Sequence, residues 1–185
     1  MRSSYIINNY ESFFEGLVRI HDPKLIVECG VLDGYSLISM ARGAKKTVRV
    51  VGFDLFEDYE FKHGSVEAIE FEAWKSNVDD KITLVKKDAI LAAEDFDDET
   101  VDLLHIDISN DGDNLRQMFN VWGRKIKKGG LFVFEGGSEE RDSVEWMVKY
   151  KKTPIKLFKD YIKLMSWDCI TFLPYPSLTV CTKPL

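Results

Sequence analysis

The chain has 185 residues, of which 45% are hydrophobic, 30% charged and 12% aromatic. That length predicts one domain at roughly 150 residues per domain, and the composition excludes a disordered or low-complexity chain. Lys and Arg number 25 against 31 Asp and Glu, and a net charge of −6 without a dense basic face argues against a nucleic-acid binder.

The densest basic run, Arg124-Lys125-Ile126-Lys127-Lys128, reads as a helix C-terminus, where cations suit the dipole. Cys29, Cys169 and Cys181 are odd in number, far apart and without a C-x-x-C pair. No disulfide framework or cysteine zinc site is therefore expected, and a reducing compartment is. No run of about 18 apolar residues occurs, so no membrane span is expected. The start, Met1-Arg2-Ser3-Ser4-Tyr5, lacks the apolar region of a signal peptide. The chain reads as cytoplasmic.

Taken in order, residues 5–20 carry Ile6, Tyr10, Phe13, Leu17 and Ile20 at helical spacing and predict an amphipathic N-terminal helix, closed by His21-Asp22-Pro23. Leu25-Ile26-Val27 is a first short strand. Gly30 and Gly34 follow, then a helix from Ser36 to Arg42 closed by Gly43. A second strand runs from Val48 to Phe53 and ends at Asp54. Ser65 is placed to cap a helix that buries Val66, Ile69, Ala73 and Trp74. Ile82 to Val85 is the third strand, ending near Asp88, and Val101 to Ile106 the fourth, ending at Asp107. A helix then buries Leu115, Met118, Phe119 and Trp122, and Gly129-Gly130 breaks it. Leu131 to Phe134 is the fifth strand, ending at Glu135, and Ser138 with two acids behind it starts another helix. Ile170 to Leu173 and Leu178 to Thr182, joined by Pro174-Tyr175-Pro176-Ser177, form a hairpin.

Five strand–helix alternations with strands apolar on both faces predict an α/β, doubly wound, mostly parallel sheet covered by helices. The terminal hairpin brings it to seven strands with an antiparallel edge. No linker or repeat divides it, so residues 1–22 read as an N-terminal helix on a Rossmann-like core over 23–185.

In such a sheet ligands bind outside the carboxyl ends of the strands. Acids stand there: Glu28, Asp54, Asp107 and Glu135, with Asp88 just past the third strand. The loop 28–36 has glycines only at 30 and 34. The dinucleotide fingerprint G-x-G-x-x-G would need glycine at 32 and a small residue at 35, where Leu32 and Tyr35 stand. A pyrophosphate would meet a bulky loop. Asp54, 24 residues after Gly30, suits the hydroxyls of a ribose. Ribose recognition without pyrophosphate is the expectation, and a nicotinamide-dependent oxidoreductase is the least favoured alternative. Cys29 reads as a packing residue, not a nucleophile, and no serine elbow with a neighbouring histidine stands out. His105 reads as a core histidine, His63 as a surface residue, and Trp146 and Trp167 as packing.

Five stretches in order, Glu28-x-Gly30-x-x-x-Gly34-x-Ser36, Gly52-Phe53-Asp54, Lys87-Asp88-Ala89, Asp102 to Asp107 and Lys128-Gly129-Gly130-Leu131, resemble the motifs of class I S-adenosylmethionine-dependent methyltransferases, in particular the small bacterial O-methyltransferases. The resemblance covers about residues 24 to 183. It implies S-adenosylmethionine as cofactor, with Glu28, Gly30, Gly34 and Ser36 along its methionine part, Asp54 at the ribose, Leu55 against the adenine, Asp88 and Ala89 by the adenine amino group, and Asp107 near the cofactor's amino group and the acceptor. Asp107 and Glu135 are the candidate catalytic residues. The acid-ended strands and the bulky glycine loop then motivate an O-methyltransferase acting on a small polar acceptor, a sugar or glycan precursor among them.

Metal-dependent members pair the fourth-strand acid with an acidic pair after strand five, where this chain reads Glu135-Gly136-Gly137-Ser138, and Ser109 replaces a further acid. No metal is assigned, although Asp107, Asp111 or Asp113, and Glu135 could supply three of the oxygens that a hard cation needs. The same departures leave a non-catalytic binding or regulatory module as the alternative. No nucleic acid or membrane partner is expected. The apolar surface of the N-terminal helix and hairpin leaves room for a homodimer.

Overall fold

A computed structural model describes residues 1–185. The strands form one seven-stranded sheet in the order β3-β2-β1-β4-β5-β7-β6, and the chain divides into two compact units, Met1–Ala92 and Ala93–Leu185. The mixed, mostly parallel sheet with an antiparallel edge is the one the alternation predicts.

In the first unit a 3-10 turn, Ser4–Asn8, precedes α1 (Tyr10–His21). β1 (Leu25–Cys29), α2 (Tyr35–Gly43), β2 (Arg49–Asp54), α3 (Val66–Lys75) and β3 (Ile82–Lys86) follow. β1 and β2 run parallel from Leu25 opposite Arg49, and β2 and β3 from Val50 opposite Ile82. Ile26 to Cys29 and Val50 to Phe53 are buried without alternation, as strands covered on both faces must be. Arg42 of α2 holds α1 through Glu11 and, at 3.0 Å, Glu15.

The N-terminal helix differs from the expected one. Asn9 takes a left-handed conformation (φ 50°) and breaks it. A face counted straight through 5–20 therefore straddles two axes. The buried face of α1 is Tyr10, Phe14 and Val18, while Ile6 is exposed and Ile20 is 88% exposed. On α3, Ser65 caps as expected, accepting from the Ala68 amide, and Ile69 and Ala73 are buried. Trp74 is exposed and stacks on Phe71 instead, because it lies about 100° round the helix from Ala73.

The second unit holds β4 (Val101–Ile106), α4 (Gly112–Trp122) and β5 (Ile126–Glu135). Short helices α5 (Glu139–Asp142) and α6 (Glu145–Lys149), then α7 (Ile155–Leu164), lead to β6 (Asp168–Phe172) and β7 (Leu178–Thr182). The α4 face is as predicted, with Leu115, Met118, Phe119 and Trp122 buried.

The basic run is not a helix C-terminus. α4 stops at Trp122, and β5 begins at Ile126, opposite Val101. Gly129 (φ 71°) lies in the stretch where the pairing with β4 loses register between Val101 and Leu103, so the glycines bend a strand and do not end a helix. The cations bind acids of the preceding chain: Lys125 meets Asp98 at 2.8 Å and Lys127 meets Asp102 at 2.7 Å.

β7 runs antiparallel to both β5 and β6, and its register sets Cys181 directly opposite Cys169. Those two cysteines form a disulfide with Cα atoms 4.1 Å apart. This corrects the expectation of none. A spacing of 12 is uninformative in sequence, yet the hairpin turns it into a paired position. Cys29 is the free, buried cysteine. The argument from cysteine usage to a reducing compartment thereby loses its premise. The core of the unit is aromatic: Phe119, Phe132, Phe134, Phe158 and Trp167 meet at centroid distances of 5.3–6.4 Å. No helix is long and apolar enough to cross a membrane.

Candidate functional site

In the first unit, the turn after β1 is organised around Asp54. Its Oδ2 accepts the amides of Val31 (2.7 Å) and Leu32 (3.0 Å), and its Oδ1 accepts the amide of Phe56 (2.9 Å). A carboxylate has roughly four lone-pair directions. Three therefore shape the loop, leaving about one for a ligand. Leu32 stands where a dinucleotide fingerprint would want glycine, yet its backbone is left-handed (φ 49°). The loop thus takes a glycine-like bend with an isobutyl group on it.

Gly34 (φ 81°) starts α2, and a Cβ there would lie 2.9 Å from Ile69 Cγ2. The Cβ side of Gly34 is filled by a side chain of α3. Gly30 (φ 89°) donates its amide to Phe53 O at 2.8 Å. Buried Glu28 accepts a hydrogen bond from Ser36 Oγ, which fixes the carboxylate beneath the start of α2. Cys29 beside it is fully buried. Burial first, and then the charges of Glu28, Asp88 and Asp54, push its thiol well above the ordinary range.

Asp88 is exposed, and its Oδ1 accepts the amides of Ile90 (2.9 Å) and Leu91 (3.2 Å), capping the 3-10 turn Leu91–Asp95. Leu55 and Ala89 are half-buried.

A contact absent from the sequence reading lies on the same loop. Arg2 binds Asp33 through its backbone N (2.6 Å), Nε (2.9 Å) and Nη2 (2.6 Å), and Nη2 also reaches His63 O at 2.9 Å. These bonds hold the Asp33 carboxyl down at about 2. The segment at His63 sits directly on the turn: a Cβ on Gly64 would lie 1.5 Å from Leu32 O. His63 itself is exposed, its Nδ1 within 3.0 Å of Phe61 O.

In the second unit, β4 and β5 are in register from Leu103 opposite Leu131 to Ile106 opposite Phe134. Continuing that register brings Asp107 beside Glu135 at the carboxyl end of the two strands. Asp107 is half-buried. Glu135 is buried, and its oxygens face a buried arginine: Arg141 Nε donates to Oε1 at 2.7 Å and Nη2 to Oε2 at 3.3 Å. Nη2 also donates to Asn110 O at 3.0 Å, and Asn110 Nδ2 donates to Ile106 O and Glu135 O. The guanidinium lies 5.0 Å from the ring centre of half-buried Trp146. Ser138 caps α5 by accepting the Arg141 amide at 3.1 Å, which brings Arg141 back over the end of β5. His105 is buried within β4, as expected, and Trp167 within the aromatic core.

The other acids once considered for a metal have different duties. Asp111 caps α4 and pairs with Lys152 at 3.0 Å, while Asp113 accepts from Thr153 Oγ1 at 2.6 Å. No group of three or more His, Cys, Asp and Glu side chains is arranged to hold a metal ion. Arg141 and Asn110 went unnoticed in the sequence. The available signal was one arginine inside the acidic first turn Glu139-Glu140-Arg141-Asp142, behind a serine cap.

Comparison with known proteins gives the site a context. Residues 27–135 match the methyltransferase domain family. The chain is 29% identical over 139 residues to a protein named probable caffeoyl-CoA O-methyltransferase 3 of Dictyostelium discoideum, covering 72% of this chain and 52% of that one. It is 25% identical over 149 residues to a flavonoid 3',5'-methyltransferase of Vitis vinifera, covering 76% and 60%. The chain thus spans between half and three fifths of these relatives. Among solved structures it resembles the O-methyltransferase of Streptomyces achromogenes involved in tomaymycin synthesis, in complex with S-adenosylmethionine, at a TM-score of 0.73 and 16% identity, covering 96% of this chain and 80% of that one.

Proposed function

The chain belongs to the methyltransferase domain family, and from that premise we propose that it transfers the methyl group of S-adenosylmethionine to a hydroxyl oxygen of a small-molecule acceptor. The observation that carries the reading is the coincidence of the family match, residues 27–135, with the stretch from the first strand to the acid at the end of the fifth. The turn built on Asp54 supports it, since its bulky Leu32 suits a nucleoside without a diphosphate.

In this reading Glu28, Gly30, Gly34 and Ser36 line the methionine portion, Asp54 meets the ribose, and Leu55, Asp88 and Ala89 flank the adenine. The cofactor supplies an electrophilic methyl group on a sulfonium. The protein contributes orientation of the two reactants and removal of one proton. Asp107 is the proposed base. Its half-buried carboxylate takes the hydroxyl proton as the acceptor oxygen bonds to the methyl carbon and the carbon–sulfur bond breaks. Glu135, held between two donors of Arg141, orients that guanidinium and does not itself collect the proton.

The relatives act, by name, on caffeoyl-CoA and a flavonoid, so a phenolic acceptor leads, with sugars as the second class. The test is incubation with S-adenosylmethionine and a panel of dihydroxyphenols, hydroxycinnamoyl thioesters and free sugars. Mass spectrometry reads one added methyl group per acceptor. Methylation that is abolished by Asp107→Asn, in a protein that still binds cofactor, is the expected result. Cofactor binding with no methylated product from any class would favour a non-catalytic binding module.

A further inference from the structure

We infer that the acceptor site carries its own cation, Arg141, at the place where metal-dependent members of this family bind a divalent ion, so that its methyl transfer runs without one. The inference rests on the methyltransferase reading and extends it to how the acceptor oxygen's charge is managed.

A hard divalent cation at the ends of two adjacent strands would need carboxylate oxygens from both, and further oxygens to complete its shell. Asp107 and Glu135 are the two acids that directly follow the last paired positions of β4 and β5, Ile106 and Phe134. Both oxygens of Glu135 already accept from one guanidinium, at 2.7 and 3.3 Å. A side-on pair of this kind is among the stronger charge-assisted contacts, and burial keeps water from competing for it. The remaining candidates are engaged in a helix cap, an ion pair and a threonine bond. A metal would have to expel a buried, hydrogen-bonded arginine and leave that charge unpaired, which a protein interior strongly resists.

The guanidinium is also fixed for work. Nη2 is shared with Asn110 O, and Trp146 lies against the guanidinium. Nη1 is buried without a hydrogen-bond partner, and so is Asn110 Oδ1 on the neighbouring side chain. Arg141 is a positioning residue: it fixes Glu135 and Asn110, and its charge would be felt by an acceptor oxygen as it loses its proton.

The test is titration of the purified protein with manganese(II), read by electron paramagnetic resonance, with no acceptor and no turnover required. Wild type should show no stoichiometric binding at millimolar metal. Arg141→Ala, which releases Glu135, should bind manganese at least about tenfold more tightly than wild type. Circular dichroism checks that the variant is folded. One manganese per wild-type chain, lost in Asp107→Asn, would overturn the inference, and this arm needs no fragile variant. A folded Arg141→Ala that binds no better than wild type would also overturn it, because the guanidinium would not be what excludes the ion. Calorimetry with S-adenosylhomocysteine on the same protein reports separately on the methyltransferase reading.

Discussion

Asp33 shows how a single side chain ties the turn after β1 to Arg2. Three donors of Arg2 hold its carboxyl near 2 instead of the ordinary 3.8. A carboxyl whose value is lower in the folded state stabilises the fold at pH above its unfolded value and loses that contribution as it protonates. The Arg2–Asp33 contact should therefore contribute fully at neutral pH and fade as pH falls from 3.8 to about 2. Denaturant unfolding of wild type against Asp33→Asn checks this: the stability gap should be constant between neutral pH and pH of about 5 and close below that. A gap that stays open down to pH of about 2 would mean that the arginine contributes through packing and not through charge.

Elements carry the larger energies, and here the break at Asn9 matters. Phe14 is fully buried on α1, whereas Ile20 stands in solvent. Phe14→Ala should cost about 3–5 kcal/mol, and Ile20→Ala should fall within about 0.5 kcal/mol of wild type, both read from urea midpoints. The reverse ranking would restore the face counted through residues 5–20. The contrast also shows where the sequence was legible. β4 was found to the residue because its apolar residues, Val101, Leu103, Leu104 and Ile106, occupy both faces of a short strand that ends at an acid. The α4 face was found because four large side chains, Leu115, Met118, Phe119 and Trp122, recur at helical spacing over about two turns. The Asn9 break was hidden because asparagine takes a left-handed turn at little cost without announcing it. The basic run at 124–128 misled because lysines suit a helix end and an exposed strand start equally well, and only the partners Asp98 and Asp102 distinguish them. The Cys169–Cys181 bridge depends on hairpin register, which neither cysteine encodes alone.

For the whole molecule, the acids at the strand ends were readable as a set, and the use each is put to was not. Asp54 accepts three amides of its own loop, Asp88 caps a turn, and Glu135 answers to an arginine six residues on. Such roles arise from side chains that converge only once the chain is folded, and a motif records the residue without its partner. The family supplies the premise of methyl transfer, and the turn at Asp54 is the part of the structure that premise leans on most. Titration calorimetry with S-adenosylhomocysteine tests it most directly. The account predicts one site per chain, weakened about tenfold or more by Asp54→Ala, since that change removes both the proposed ribose partner and the acceptor of three loop amides. Absence of heat at millimolar ligand, or affinity untouched by Asp54→Ala in a folded protein, would contradict it.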